Sequence, residues 1–454
     1  MKKQNKKKSK RGFTLVELLV GVFLFTLLFL GIYGTYSLGI KVTNHDRMIT
    51  EGTSIAEEQI EAIHAMTYDN IGISGGIPSG TLLATETETR DHGVYTIKKT
   101  VKCIDDPYNN LAPVDTSPCN YKQIEVKVSW PSGFKSNTVV LDTIIAPPQV
   151  ETEVNMGVLM VNISNSQGLP ISNAEVHIKN TALSPQIDFT TETDANGGLT
   201  LPGAKPATTS YEITATKSGY ESVQTYAPYP SSPFNPNDVN LSVAKGSITS
   251  KSFVIDMISS LTINLRDTLG NGIPNTPFAL KGGRVIGTTV EPSPKQVYYY
   301  DQAVLTTNTS GNWTKSDLGK GPYYFTITNP NYELITTSPT LPWALAPNGN
   351  QTVTVIMGDK TANLLVFTVK EQDSTAVLPG ATVQILDQSN NVIQTATTDD
   401  NGIAYFPQIA TPAVTITAGT TYSYSITKTG YTASSGTSLV NGITRVNVSL
   451  VKTP

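Results

Sequence analysis

The residues near the N terminus that could do chemistry are a carboxylate beside an apolar stretch and a glycine after a basic cluster. Glu17 lies directly before Leu18–Ile40, a run that contains no charged residue. An unpaired charge in a membrane costs a few kcal/mol, so a simple anchor gives no reason for this carboxylate. Seven Lys or Arg residues fall within residues 1–11, and the cluster ends sharply at Arg11-Gly12, before Phe13.

A second pair of reactive residues is formed by the only two cysteines, Cys103 and Cys119. They are close in sequence, and the chain carries an export signal. We therefore predict a disulfide that closes a short loop, the alternative being two free thiols. Two cysteines without a nearby histidine do not predict a zinc site.

Residue patterns typical of catalysis are missing from the sequence. It has no Gly-x-Ser-x-Gly motif, no phosphate loop and no pair of carboxylates that we can assign to a catalytic site. The four histidines are scattered without metal-ligand spacing, at His45, His64, His92 and His177. We expect a non-enzymatic protein that uses neither a metal nor another cofactor.

The apolar run is long enough to cross a membrane. Its 23 uncharged residues suffice for a spanning helix, and the basic segment before it should stay in the cytoplasm. We assign residues 13–40 to a transmembrane helix and predict that it continues through residues 41–66. Everything after residue 40 is then expected outside the cell.

The segment Lys10-Arg11-Gly12-Phe13-Thr14-Leu15-Val16-Glu17 resembles the type IV prepilin processing motif at every position. The resemblance implies that residues 1–12 are a leader, removed after Gly12 by a membrane prepilin peptidase. Phe13 would be the methylated new N terminus, and Glu17 would pair with the N-terminal amine of a neighbouring subunit. Major pilins usually carry a proline where this chain has Gly34, which argues against the major filament subunit.

Residues 67–147 are predicted to form a small pilin-like body of antiparallel strands. Val94–Val101, Ile124–Trp130 and Val139–Ile145 alternate apolar and polar residues with period two. The stretch Tyr121–Trp130 also resembles the last sheet of minor pilins and secretion pseudopilins. Three aspartates here could bind calcium, but an acidic solvated turn is the preferred interpretation: Asp105, Asp106 and Asp115.

Three diverged repeats follow, which we place at 155–245, 255–358 and 362–452. Each has alternating apolar strands, a tight turn containing Gly, and a Tyr near its end, at Tyr220, Tyr332 and Tyr431. The pattern resembles prealbumin-like sandwiches, meaning carboxypeptidase-regulatory-like modules and the B-type repeats of collagen adhesins. The fold class predicted for the whole chain is an α+β N-terminal pilin followed by all-β tandem sandwich domains.

Some relatives of such repeats form an internal Lys–Asn isopeptide bond. Lys370 and Asn447 are the only pair that we can place on suitable strands. The acid expected after the Tyr-x-x segment is missing from all three copies. Ordinary surface residues are therefore the preferred interpretation of this pair.

Aromatic residues cluster in the middle repeat and give a candidate ligand surface made of Tyr298, Tyr299, Tyr300 and Trp343. Exposed rings stack on sugars or bind peptides. Three consecutive tyrosines on a strand cannot all face inward, so at least one ring should be exposed. Core packing is the expected role of Trp313, Tyr323 and Phe325.

The charge of the chain argues against general DNA binding. The formal charge of −4 becomes −11 without residues 1–11, because 25 basic and 36 acidic residues remain. We expect a minor type IV pilin-like subunit on a pilus, adhesive or acting as a spacer, with no nucleic-acid partner. Its partners would be the prepilin peptidase, other pilins, the membrane assembly platform and a surface carbohydrate or protein. A pseudopilin of a type II-like secretion system and a DNA-uptake pilin are the alternatives.

Overall fold

The computed structural model describes residues 14–109, 115, 119–131, 138–147, 156–409 and 413–453. It confirms the predicted fold class: one long N-terminal helix with a small antiparallel sheet, followed by tandem β-sandwiches. The predicted residues 1–12 and Phe13 lie outside the described part of the chain.

Helix α1 runs without interruption over Leu15–His64. At 1.5 Å per residue its 50 residues extend about 75 Å, more than twice the thickness of a bilayer core. The predicted spanning segment and its continuation are thus one helix. In the described chain it is the single helix long and apolar enough to cross a membrane, judged by length and composition.

The second half of α1 packs on a four-stranded sheet of order β1-β2-β3-β4. These strands are β1 (Thr85–Arg90), β2 (Gly93–Ile104), β3 (Tyr121–Ser129) and β4 (Thr138–Ile145), and short 3₁₀ helices cover Tyr68–Asn70 and Pro107–Asn109. The buried helix residues Ile55, Ala56 and Ile63 share one core with the sheet. Gly52 allows Trp130 to approach, since a Cβ at Gly52 would lie 2.7 Å from the Trp130 ring.

The first sandwich has sheets of order β13-β5-β8 and β10-β9-β6-β7, with β12 also paired to β9. Its strands are β5 (Gly157–Ser164), β6 (Glu175–Asn180), β7 (Ile187–Glu192), β8 (Gly198–Ala204), β9 (Ala207–Thr216), β10 (Val223–Gln224), β11 (Asn235–Pro236), β12 (Leu241–Val243) and β13 (Ile248–Val254). Strand β13 lies beyond residue 245, the predicted end of the repeat. It belongs to the first sandwich because it pairs in parallel with β5.

The second sandwich has sheets of order β17-β14-β21-β19 and β11-β15-β18-β20, with β16 added beside β15. Its strands are β14 (Ser259–Arg266), β15 (Pro277–Thr288), β16 (Gln296–Thr306), β17 (Asn312–Leu318), β18 (Gly321–Ile327), β19 (Tyr332–Ser338), β20 (Trp343–Leu345) and β21 (Asn350–Asp359). Strand β11 comes from the first repeat, so one sheet is built from two repeats.

The third sandwich has sheets of order β25-β22-β28 and β24-β23-β26-β27. Its strands are β22 (Leu364–Glu371), β23 (Thr382–Leu386), β24 (Val392–Thr397), β25 (Ile403–Phe406), β26 (Thr421–Thr427), β27 (Ser434–Leu439) and β28 (Ile443–Leu450). In all three repeats the first and last strands pair in parallel, as β5 with β13, β14 with β21 and β22 with β28. The chain therefore enters each sandwich at one end and leaves it at the other.

One turn is built in the same way in every repeat. A side-chain Oδ1 accepts two backbone N–H groups at 2.8–2.9 Å, and the following glycine has φ of +68 to +72°. The turn residues are Asp194 with Gly197, Asn308 with Gly311, and Asp399 with Gly402. Glycine suits the position because it adopts positive φ without a steric penalty.

A buried threonine precedes each of these turns. Its hydroxyl accepts a backbone N–H at 2.8–3.0 Å and donates to a carbonyl at 2.6–2.9 Å, in Thr193, Thr307 and Thr398. The hydroxyl thus satisfies one backbone donor and one backbone acceptor inside the core, where unpaired groups are costly. The structure, rather than the sequence, shows that these three threonines are equivalent.

The turn gives a prediction about two glycines of the first repeat. A Cβ at Gly197 would lie 2.3 Å from the backbone oxygen of Ile163, whereas Gly168 has a similar positive φ and open space around it. We expect Gly168→Ala to cost about 1 kcal/mol from φ alone and Gly197→Ala at least about 1 kcal/mol more. Hydrogen exchange of the β5 and β8 amides measures the loss of stability in each variant. Equal losses in the two variants would contradict the proposed close contact.

Candidate assembly and binding sites

The first candidate site is the start of α1. Thr14 is the N-cap: its hydroxyl accepts the Glu17 N–H at 3.2 Å, and Glu17 Oε2 accepts the Thr14 N–H at 3.2 Å. This capping box orients the carboxylate along the helix start, where the helix dipole favours negative charge. Both groups are exposed, so Glu17 remains available to a cation outside its own chain.

The helix passes Gly34 without a break. A proline there would remove a backbone donor and kink the helix, so its absence is consistent with an uninterrupted α1. Gly12 and Phe13, the predicted processing residues, lie outside the described residues. Their role remains a prediction.

The predicted disulfide between Cys103 and Cys119 is confirmed. It joins the end of β2 to the segment before β3, with 16 residues of sequence separation. A loop of this length gives roughly 3 kcal/mol of stabilisation in the chain-entropy model. Asp105, Asp106 and Asp115 are partly exposed, and the described residues contain no group of three or more His, Cys, Asp or Glu that could hold a metal.

Lys370 and Asn447, the pair considered for an isopeptide bond, lie on strands β22 and β28 of the third sandwich. Strands β22 and β28 are adjacent and parallel, but Lys370 is in register with Ser449, and Asn447 with Thr368. Both side chains are exposed. This arrangement favours the interpretation as ordinary surface residues.

The four aromatic residues predicted as a ligand surface do not lie together. Trp343 is 1% exposed and donates its Nε1–H to the Pro339 carbonyl at 3.1 Å, and Tyr298 is 7% exposed. Trp343 belongs to the core of the second sandwich and Tyr298 is covered by neighbouring side chains, which corrects their assignment to a surface. Trp343 is buried because its ring packs on Phe325 in that core, and Tyr298 is buried because its ring packs on Tyr324.

Tyr299 and Tyr300 instead line a cleft between the first and second sandwiches, which we call the junction cleft. Tyr299 is 52% exposed, and its hydroxyl lies 2.8 Å from the Ser222 hydroxyl of the first repeat. Tyr300 is half-buried beside Tyr323. The cleft has a volume of about 400 Å³ and is also lined by Tyr220, Glu221, Arg284, Lys315 and Asp317.

Charged groups of the junction cleft are paired. Arg284 donates to Glu221 Oε1 at 2.8 Å across the two repeats, and Lys315 Nζ lies 2.6 Å from Asp317. Burial raises the pKa of Glu221, and the charge of Arg284 opposes this shift only in part. Burial also raises the pKa of Tyr300 to about 12, with help from the Asp317 charge.

Sequence reasoning missed most residues of this cleft. Glu221 and Arg284 are 63 residues apart and lie in different repeats, so no local pattern links them. One local signal is the pair Gly282-Gly283 before Arg284. A Cβ at Gly282 would lie 2.3 Å from the Pro322 oxygen, so this glycine allows β15 and β18 to approach closely at the cleft floor.

Further contacts join the repeats and the body. Ile77 of the body lies in the core of the first sandwich, and Gly75 O accepts the Asp188 N–H at 2.9 Å. Between the second and third sandwiches, Asn401 donates to the Thr337 carbonyl at 2.7 Å and Arg445 to Glu333 at 2.8 Å. Each junction therefore has direct contacts beyond the covalent chain.

Comparison with known families finds one match, to a motif at the N terminus. The model described as the prokaryotic N-terminal methylation motif matches residues 7–33. The chain thus carries a type IV prepilin methylation motif, which supports a pilin subunit. A search of curated proteins found no match.

Comparison with solved structures returns several pilins and a Bacillus anthracis protein. The Bacillus anthracis TIE protein is 16% identical, over 82% of this chain and 74% of its own, with a TM-score of 0.19. A streptococcal ancillary pilin is 14% identical, over 65% of this chain and 99% of its own, with a TM-score of 0.20. BcpA, the major pilin subunit of Bacillus cereus, is 12% identical, over 66% of this chain and 100% of its own, with a TM-score of 0.16.

The division of the aromatic residues predicts two different mutational effects. Trp343→Ala empties a core position and should cost about 3–5 kcal/mol, whereas Tyr299→Ala removes an exposed ring and should cost less than about 1 kcal/mol. Calorimetry of the full chain in detergent measures the unfolding of the middle repeat. A loss of several kcal/mol in Tyr299→Ala would show that this ring is part of the fold rather than of a surface.

Proposed function

We propose that this chain is a minor type IV pilin-like subunit. A prepilin peptidase cuts after Gly12, Phe13 is methylated, and α1 inserts into a pilus through contacts with other pilins. The observation that carries this proposal is the match of the methylation motif to residues 7–33, directly at the start of the uninterrupted α1.

The position of Glu17 supports assembly through the helix. Its carboxylate is exposed in the first turn of an apolar helix, where an unpaired charge is costly in lipid. The amine of a processed neighbouring subunit offers the cation that removes this cost. Before assembly the chain is anchored in the cell membrane by the same helix.

The repeats are proposed to stand outside the cell, at or near the tip of the filament. The three sandwiches are bulky, and packing them along a filament would separate neighbouring helices. Parallel pairing of the first and last strands directs the repeats end to end. They serve adhesion or act as spacers, without enzymatic activity.

Processing is tested by substituting the proposed cleavage site. We expect Gly12→Leu to abolish cleavage, because a side chain would obstruct entry of the backbone into the peptidase site. Intact mass and N-terminal analysis, with and without the peptidase, give the readout. Gly21→Leu is the control, since Gly21 has open space around its Cβ position in α1. Retention of residues 1–12 by the native chain in the presence of the peptidase would refute the proposal.

Assembly is tested separately at Glu17. We expect Glu17→Gln to be processed normally but to fall at least tenfold in the sheared pilus fraction, because the neutral amide cannot neutralise an N-terminal amine. Glu57→Gln, an exposed carboxylate later in the same helix, should assemble like the native chain. Normal incorporation of Glu17→Gln would remove the role proposed for this carboxylate.

A further inference from the structure

The junction cleft has the size and location of a small-ligand site. Its volume of about 400 Å³ falls within the usual range for such pockets, which often form where two domains meet. Its walls come from both repeats, with Glu221 and Ser222 on one side and Arg284 and Tyr299 on the other. The cleft is therefore complete only when the two sandwiches are joined.

The joint is held in place by several independent contacts. Strand β11 of the first repeat pairs with β15 of the second, and the Asn237 amide donates to the Val285 carbonyl at 3.1 Å. Arg284 also donates to the Val254 carbonyl at the end of the first repeat. A cleft whose walls are fixed before binding loses little entropy when a ligand enters.

The rings of the cleft provide a surface for stacking. Tyr299 is 52% exposed, yet its hydroxyl is tied to Ser222, so the ring is both accessible and oriented. Tyr300 is half-buried with its ring centre 6.3 Å from that of Tyr323, and the Lys315 ammonium lies 5.7 Å from the centre of the Tyr300 ring. Oriented aromatic rings bind flat apolar faces at low cost in side-chain entropy.

The charges of the cleft favour an uncharged ligand. Glu221 is paired with Arg284, Asp317 with Lys315, and nearby Asp256 with Lys320 at 3.8 Å. These six groups carry no net charge. A charged ligand would have to displace a partner from one of these pairs, whereas hydroxyl groups can donate to the carboxylates and accept from the cations without breaking them.

From these observations we propose that the junction cleft binds a neutral saccharide, with Tyr299 and Tyr300 against the sugar face and the paired charges bonded to its hydroxyls. The inference gives a ligand class to the adhesive role and rests on the proposed display of the repeats outside the cell. Binding itself is a property of the two joined sandwiches and does not require filament assembly.

The test uses the full chain in detergent micelles on an array of neutral oligosaccharides, sialylated and sulfated oligosaccharides, and peptides. We expect neutral oligosaccharides to bind, and isothermal titration with the best of them to show at least a tenfold weaker affinity for Tyr299→Ala. Tyr229→Ala is the matched control: Tyr229 is also 52% exposed but lies outside the cleft, so its affinity should be unchanged.

Three results would overturn the proposal: no binding on the array, binding restricted to acidic glycans or peptides, or equal affinity of Tyr299→Ala and the native chain. An unchanged unfolding temperature of Tyr299→Ala excludes a general loss of structure. The mass of the same protein made with the peptidase reports processing independently. Failure of saccharide binding with normal processing would refute the binding proposal and leave the pilin role intact. Saccharide binding by a chain that the peptidase never processes would support the binding site and refute the pilin role.

Discussion

The unbroken backbone hydrogen bonding of α1 is the interaction on which the rest of the structure depends, because it joins the apolar N-terminal segment rigidly to the body. The first half of the helix is apolar and exposed, while Gly52, Ile55, Ala56 and Ile63 in the second half are buried against the body sheet. One rigid element therefore carries both the exposed apolar segment and the face that packs on the body. A kink at Gly34 would uncouple these two parts, and the helix has none there.

From the body outward, each domain is held by the one before it. Ile77 extends the first sandwich core, β11 extends a sheet of the second sandwich, and Ile335 of the second packs with Leu364 of the third. The turn of the third repeat that contains Asp399 and Gly402 also contacts the second sandwich, where Asn401 donates to the Thr337 carbonyl. Short-range contacts of this kind let a linear array keep a defined relative orientation without a large shared core.

Sequence reasoning succeeded where the signal is local. The apolar run, the Cys103–Cys119 pair and the alternating strands of the fold class follow from nearby residues, and the structure confirms them. It failed for Trp343 and Tyr298, because an aromatic residue on a short or edge strand reads as exposed until its neighbours are known. Glu221 and Arg284 were not identified because their contact depends on how two repeats meet.

The parallel pairing of β5 with β13, β14 with β21 and β22 with β28 has a mechanical consequence. Tension between α1 and the far end of the chain pulls the first strand of each sandwich by its start and the last strand by its end. The two strands are then loaded in shear, and the seven or eight register pairs between them share the force. Rupture requires these pairs to fail together rather than one by one, which raises the barrier that governs forced unfolding. The proposed adhesive role would load the chain in this geometry.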